Sequence, residues 1–205
     1  MRWMNKAGTK ISMQMSQCHR EIWKFAVALT LLLAAASIYS RATTIERMSL
    51  AQMTRAAQLI VRGHCVENSV GWDEGEIWTF TSFDVDEVWS GTAPARITVR
   101  LLGGRTGNIT SSVSGIPRFM PGEDVVLFLE TTARGDYSVV SWQQGTFRVR
   151  HSLSGADARV TQDTATFATF DPAARKFAAG GIRDVALDTF RARVEAAVRE
   201  AGRKP

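Results

Sequence analysis

The chain has 205 residues, enough for one domain with a substantial core and an appendage. It carries 25 Lys and Arg against 20 Asp and Glu, but six of the bases and only one acid fall in residues 1–42, which leaves 19 of each in the rest. The part that folds is therefore neutral, and a nucleic-acid partner held by a basic surface is excluded as an expectation.

Residues 1–42 read as a leader. Phe25 to Tyr39 is an uncharged apolar run preceded by Arg20 and Lys24, shorter than the ~20 residues of a membrane span and rich in small side chains, which is the pattern of a secretory signal. Ser40-Arg41-Ala42 offers a cleavage site with Thr43 as the mature N-terminus, and the long stretch before Lys24 leaves Met13 or Met15 as alternative starts. The expected location is the periplasm or the extracellular space; the alternative is an anchor in the cytoplasmic membrane formed by residues 25–39. Cys18 precedes the apolar run, so it is not a lipoprotein cysteine, and Cys65 is left alone in the mature chain without an intramolecular disulfide partner.

Ser49-Leu50-Ala51-Gln52 fits a capping box, and Leu50, Met53, Ala57 and Ile60 follow at helical spacing, which predicts a helix of about three turns. Leu59 to Val66 is β-branched, with Gly63 marking a bulge or a close approach to another strand. Asn68 to Gly75 reads as a turn, and Glu76 to Trp89 as one long strand or two collinear ones. Ser90 to Pro94 turns the chain into a strand with Ile97, Val99 and Leu101 inward and Arg96, Thr98 and Arg100 on the wet face. Leu102 to Ser114 is a Gly- and Ser-rich excursion.

Gly115 to Glu123 holds two Pro and two Gly residues, a loop that cannot pair regularly and whose structural residues are Gly115, Pro117, Phe119, Gly122 and Glu123. It delivers the chain into Val125 to Leu129, a continuous apolar run expected to be buried on both faces. Ala133 to Asp136 is a hairpin turn, Tyr137 to Trp142 and Phe147 to Val149 are strands, and Asp184 to Ala201 is an amphipathic helix with Leu187, Phe190 and Val194 on its apolar stripe. Residues 43–150 thus read as one β domain, and 151–205 as an irregular extension ending in a helix over 184–201. Five or six short strands within about a hundred residues predict a small antiparallel barrel or sandwich.

No set of residues assembles into a catalytic constellation. His64 and Cys65 are adjacent, so a strand sends them to opposite faces, and neither a metal site nor a Cys-His dyad is expected there. Asp73, Glu74, Glu76, Asp84, Asp86 and Glu87 lack the spacing of a calcium loop and read as a solvated strand face balanced by Arg96 and Arg100. Gly103 to Gly107 lacks the Lys and the helix of a phosphate loop, and no cofactor is expected. Four Trp residues in the mature domain are more than a core takes up easily, and although core packing is the first expectation for them, with Trp78 and Trp89 inside strands, some are placed to line a binding face. Trp72 and Trp78, with Arg105 and Asn108 of the excursion, form the candidate ligand face.

The helix, Leu59-Ile60-Val61 with Gly63, Val88-Trp89-Ser90-Gly91, the Pro117, Phe119, Gly122 and Glu123 loop, Val126 to Leu129, Gln144-Gly145 with Phe147, and the closing helix together resemble a group of uncharacterised exported bacterial proteins. Their order over residues 46–150 is similar to the netrin-like domain of tissue inhibitors of metalloproteinases. That resemblance implies a five- to six-stranded OB-like antiparallel barrel flanked by a short N-terminal and a C-terminal helix. The inhibitors' zinc-chelating N-terminal cysteine has no counterpart, since Thr43 would lead the mature chain. The leading expectation is an exported, non-catalytic binding module whose partner is a protein, a glycan or an envelope component. The alternatives are a protease-inhibitor-like domain without that cysteine mechanism, an anchored envelope protein, and a hydrolase using carboxylates such as Glu123 or Asp136.

Overall fold

A computed structural model describes residues 46–152, 157–166, 168–171 and 175–202. The capping box forms as its residues dictate: the Gln52 amide donates to the Ser49 hydroxyl at 3.2 Å and the Ser49 amide to the Gln52 side chain at 2.7 Å. The helix it opens, α1 (Leu50–Ala56), is shorter than the spacing predicts, because Ala57 is already extended and Leu59 begins a strand.

The strands are β1 (Leu59–Asp73), β2 (Glu76–Ser90), β3 (Arg96–Leu102), β4 (Gly104–Thr106), β5 (Ile109–Ser111), β6 (Asp124–Thr131), β7 (Tyr137–Val139), β8 (Thr146–His151), β9 (Ala158–Gln162), β10 (Ala168–Asp171), β11 (Lys176–Ala179) and β12 (Val185–Ala186). The closing helix, α2, spans Leu187–Glu200. Eight strands make the main sheet in the order β1-β2-β3-β7-β6-β8-β9-β12, and β1 also pairs with β6 over Leu59 to His64. β4 with β5 and β10 with β11 are separate hairpins.

This corrects the expected five- to six-stranded OB-like antiparallel barrel. The sheet has eight strands, its β3–β7 contact is parallel, and it runs on past β6 through β8 and β9 to β12. Residues 151–205, read from the sequence as an extension, contribute β9, β12 and α2 to that sheet and its core.

β6 explains the arrangement. Its Val125, Leu127 and Leu129 face one apolar cluster with Leu59, Val61, Phe83 and Phe119, while Val126 and Phe128 face another with Ile60, Trp89, Phe147 and Phe190. A strand buried on both sides needs an uninterrupted apolar run, which is what residues 125–129 supply. The second cluster is closed by α1 and α2, whose Met53, Phe190, Val194 and Val198 are buried.

At Gly63 β1 lies close against the backbone of β2. A methyl group there would run into the Asp84 carbonyl, and the pairing register shifts between Arg62 and Gly63. Two glutamines tie the start of the described chain and the segment before β12 to the core: Gln144 donates to the Glu46 carbonyl at 2.7 Å and accepts from the Met48 amide at 2.7 Å, and Gln162 accepts from the Ile182 amide at 3.2 Å.

The membrane-anchored alternative is corrected so far as these residues go, since none of their helices is long and apolar enough to cross a membrane. The leader, residues 1–42, with the apolar run 25–39, lies outside the described residues.

Candidate functional site

β1 and β2 are each 15 residues long and pair to the very end, Asp73 opposite Glu76. The turn between them is only Glu74 and Gly75, both with positive φ (51° and 82°), as a tight two-residue hairpin requires. Asn68 to Asp73 is thus strand and not the turn expected from its Asn, Ser and Gly content. β6 leaves β1 at His64 and β3 ends opposite Trp78, so beyond these points the hairpin is a two-stranded ribbon with one side-chain set on each face.

On one face lie Val70, Trp72, Ile77 and Thr79, paired across the ribbon. The β4–β5 hairpin rests there, with Gly104 packed against Val70 and Thr79. The Gly103 carbonyl accepts hydrogen bonds from the Thr79 hydroxyl (2.7 Å) and from Arg118 (3.2 Å). The Gly103 to Gly107 stretch is therefore a hairpin arm and its turn, not a cradle at a helix start. Trp72 stands 57% exposed, and Arg105 and Asn108 are exposed on the hairpin.

Trp78 points the other way, since it pairs with Gly71 and not with Trp72. The four residues of the expected ligand face are thus divided: Trp72 lies on the face that carries the β4–β5 hairpin, where Arg105 and Asn108 sit, and Trp78 lies on the reverse. Beside Trp78 is a residue that sequence reasoning placed on the wet face. Arg100 is only 8% exposed; its guanidinium lies 4.1 Å from the Trp78 ring centroid and 5.6 Å from that of Phe80. It donates to the Asp73 carboxylate and stands 3.9 Å from that of Asp136. Arg134, from the β6–β7 turn, grips Asp73 at 2.7 and 2.8 Å and bonds Glu74 as well. Burial alone would push the Asp73 carboxyl up, but Arg134 and Arg100 outweigh it and hold it below its ordinary value. The ribbon end is clamped to the sheet by charge.

Farther down the ribbon, Arg62 donates to Asp124 (2.7 Å) and Glu87 (2.8 Å), and Glu87 also accepts from the Trp89 indole (3.1 Å) and from Arg191 (2.7 Å). His64 lies 3.3 Å from Asp86, whereas its neighbour Cys65 is buried in the cluster on the opposite face. His151 meets Asp124 at 2.7 Å, and Asp124 also accepts from Arg62. Glu123 is taken up by Arg148 and the Met120 amide, and Asp136 by the Thr132 hydroxyl. Among the described residues no three His, Cys, Asp or Glu side chains are placed to hold a metal.

The acidic strand face has a consequence for stability. Arg96 holds Asp84 below its ordinary pKa, Arg159 does the same for Asp184, and at Glu87 the Trp89 and Arg62 hydrogen bonds outweigh the upward push of burial. A carboxylate depressed in the folded state stabilises it fully above the unfolded value of about 4 and loses that contribution as pH falls through the lower folded value. The melting temperature should be flat between about pH 7 and 5 and drop below about pH 4, and Glu87→Gln should make that drop shallower. A transition as steep in the variant as in the parent protein would mean that these pairs do not stabilise the fold.

Comparison with protein-family models, with curated proteins and with solved structures finds no match to this chain.

Proposed function

We propose that this chain is an exported binding module that performs no chemistry of its own and meets its partner with the outer end of the β1–β2 ribbon. The observation that carries this reading is an exposed tryptophan on a rigidly clamped strand end. Residues 67–73 bury little, so ordering them brings small hydrophobic return, yet Arg100 and Arg134 fix them against the sheet and Trp72 is held 57% exposed. Large aromatic side chains presented on a preorganised backbone are what recognition surfaces are made of, because little entropy is lost when they are covered. Asp124 and Glu123 are bonded to arginines, and His151 to Asp124.

The test is cosedimentation of the protein, expressed from the full chain, with washed envelope and with sacculi. The parent protein should be retained. Trp72→Ala combined with Arg105→Ala, at an unchanged melting temperature, or Trp78→Ala on the reverse face, which also strips the ring from Arg100, should lose at least tenfold in retention. Equal retention of all variants, or retention of none of the proteins including the parent, would overturn the reading.

A further inference from the structure

We infer that the reverse face of the ribbon end is a glycan-binding site, in which one ring of a neutral polysaccharide lies over Gly71 against Trp78. The inference rests on the binding-module reading and assigns it a ligand class.

The starting point is Gly71. Its backbone is ordinary extended strand without a positive φ, and a Cβ built on it meets nothing within 4 Å. Neither torsion nor packing asks for a glycine here, and glycine weakens a strand. What it leaves is an open notch directly beside Trp78, its partner across the ribbon, with Ser69 and Asp73 on the same face to either side. Among the described residues β1 has no strand on its outer side after His64, so the notch opens at the edge and a long chain can run through it.

The surroundings define what fits. Arg100 and Arg134 are set against Asp73, Glu74 and Asp136, and Glu76 lies opposite Asp73 on the same face, so the acids outnumber the bases and an anion is not drawn in. The groups left over on this face are the indole, the Ser69 hydroxyl and the exposed Glu76 carboxylate. An aromatic surface flanked by a hydroxyl and carboxylate acceptors matches a sugar ring, which presents a C–H face to the indole and donating hydroxyls at its rim.

The experiment is isothermal titration, with tryptophan fluorescence in parallel, of the protein expressed from the full chain with cellohexaose, chitohexaose and maltohexaose, and with single-stranded DNA as a non-sugar probe. At least one hexasaccharide should bind saturably at sub-millimolar concentration and the DNA should not. Gly71→Val should weaken that binding at least tenfold while leaving the melting temperature equal or higher, because valine suits a strand and a Cβ there meets no neighbour within 4 Å. Trp72→Ala, on the opposite face, should change affinity by less than twofold. The inference falls if none of the three sugars binds at millimolar concentration, or if Gly71→Val binds as tightly as the parent protein. Sugar binding lost in Trp72→Ala but kept in Gly71→Val would overturn this site and leave the binding-module reading standing on the other face.

Discussion

Replacing Phe147 by alanine is expected to cost about 3–5 kcal/mol, a large part of the stability of a domain this size. The ring is fully buried at the centre of the cluster that joins helix to sheet, with its centroid 4.6 Å from Phe190 of α2 and 5.4 Å from Phe128 of β6. Phe190 in turn lies 5.9 Å from Trp89, so the four rings form one continuous contact from β6 through β8 and α2 to β2. Removing the middle member opens a cavity that its neighbours, each fixed on a different element, close only partly. Urea unfolding should show the full loss, and Phe147→Ala with Phe190→Ala should cost less than the sum of the two, since both delete the same contact. A cost below about 1 kcal/mol would mean that α2 is not seated on the sheet as described.

Much of this architecture is written locally. The apolar run at Val125 to Leu129 is buried on both faces, the Ser49 to Gln52 capping box forms, and Gly63 sits at a register shift beneath a carbonyl. Each of these signals is decided within a few residues. Other features depend on partners far away in sequence and were not legible. Alternation correctly sets Arg100 opposite in direction to Val99 and Leu101, but only the Trp78 ring, Asp73 and the β6–β7 turn make that direction a buried one. Strand counting gave the small barrel, while the parallel β3–β7 contact and the addition of β9 and β12 join segments that no local pattern links.

The division of the ligand face has a more exact cause. With the turn spread over Asn68 to Gly75, nothing fixes which residues of β1 oppose those of β2. Once it is placed at Glu74 and Gly75, Trp72 must pair with Ile77 and Trp78 with Gly71, so the two indoles face opposite ways. The Gly-rich composition that suggested a broad turn is the same composition that leaves the notch at Gly71.

Arg148→Met is expected to cost about 3 kcal/mol, the low end for breaking a buried ion pair because the side chain is about a quarter exposed. From β8 the guanidinium donates to Asp163 at 2.6 and 3.0 Å, to the Arg118 carbonyl at 2.7 Å and to the Glu123 carboxylate, and it stands 5.3 Å from the Phe119 ring. Burial alone would lower its pKa, but Asp163 and Glu123 outweigh that and raise it. One side chain therefore fastens the Gly115 to Glu123 loop to the strand beside it. The loop's other ties are the buried Phe119 and Ile116, the Asn68 amide on the Phe119 carbonyl (2.9 Å) and the Gly122 amide on the Cys65 carbonyl (2.8 Å). Methionine keeps most of the stem's packing and removes every donor, leaving two carboxylates without a countercharge. Adding Asp163→Asn to Arg148→Met should restore about 1 kcal/mol, because an orphaned charge costs more than an orphaned amide. The same variant should be cut faster by trypsin after Arg118, whose bond is protected only while the loop stays down. If urea unfolding shows less than about 1 kcal/mol of loss and the cleavage rate is unchanged, the packing of Phe119 and Ile116 and the loop's hydrogen bonds to Cys65 and Asn68 hold it without Arg148.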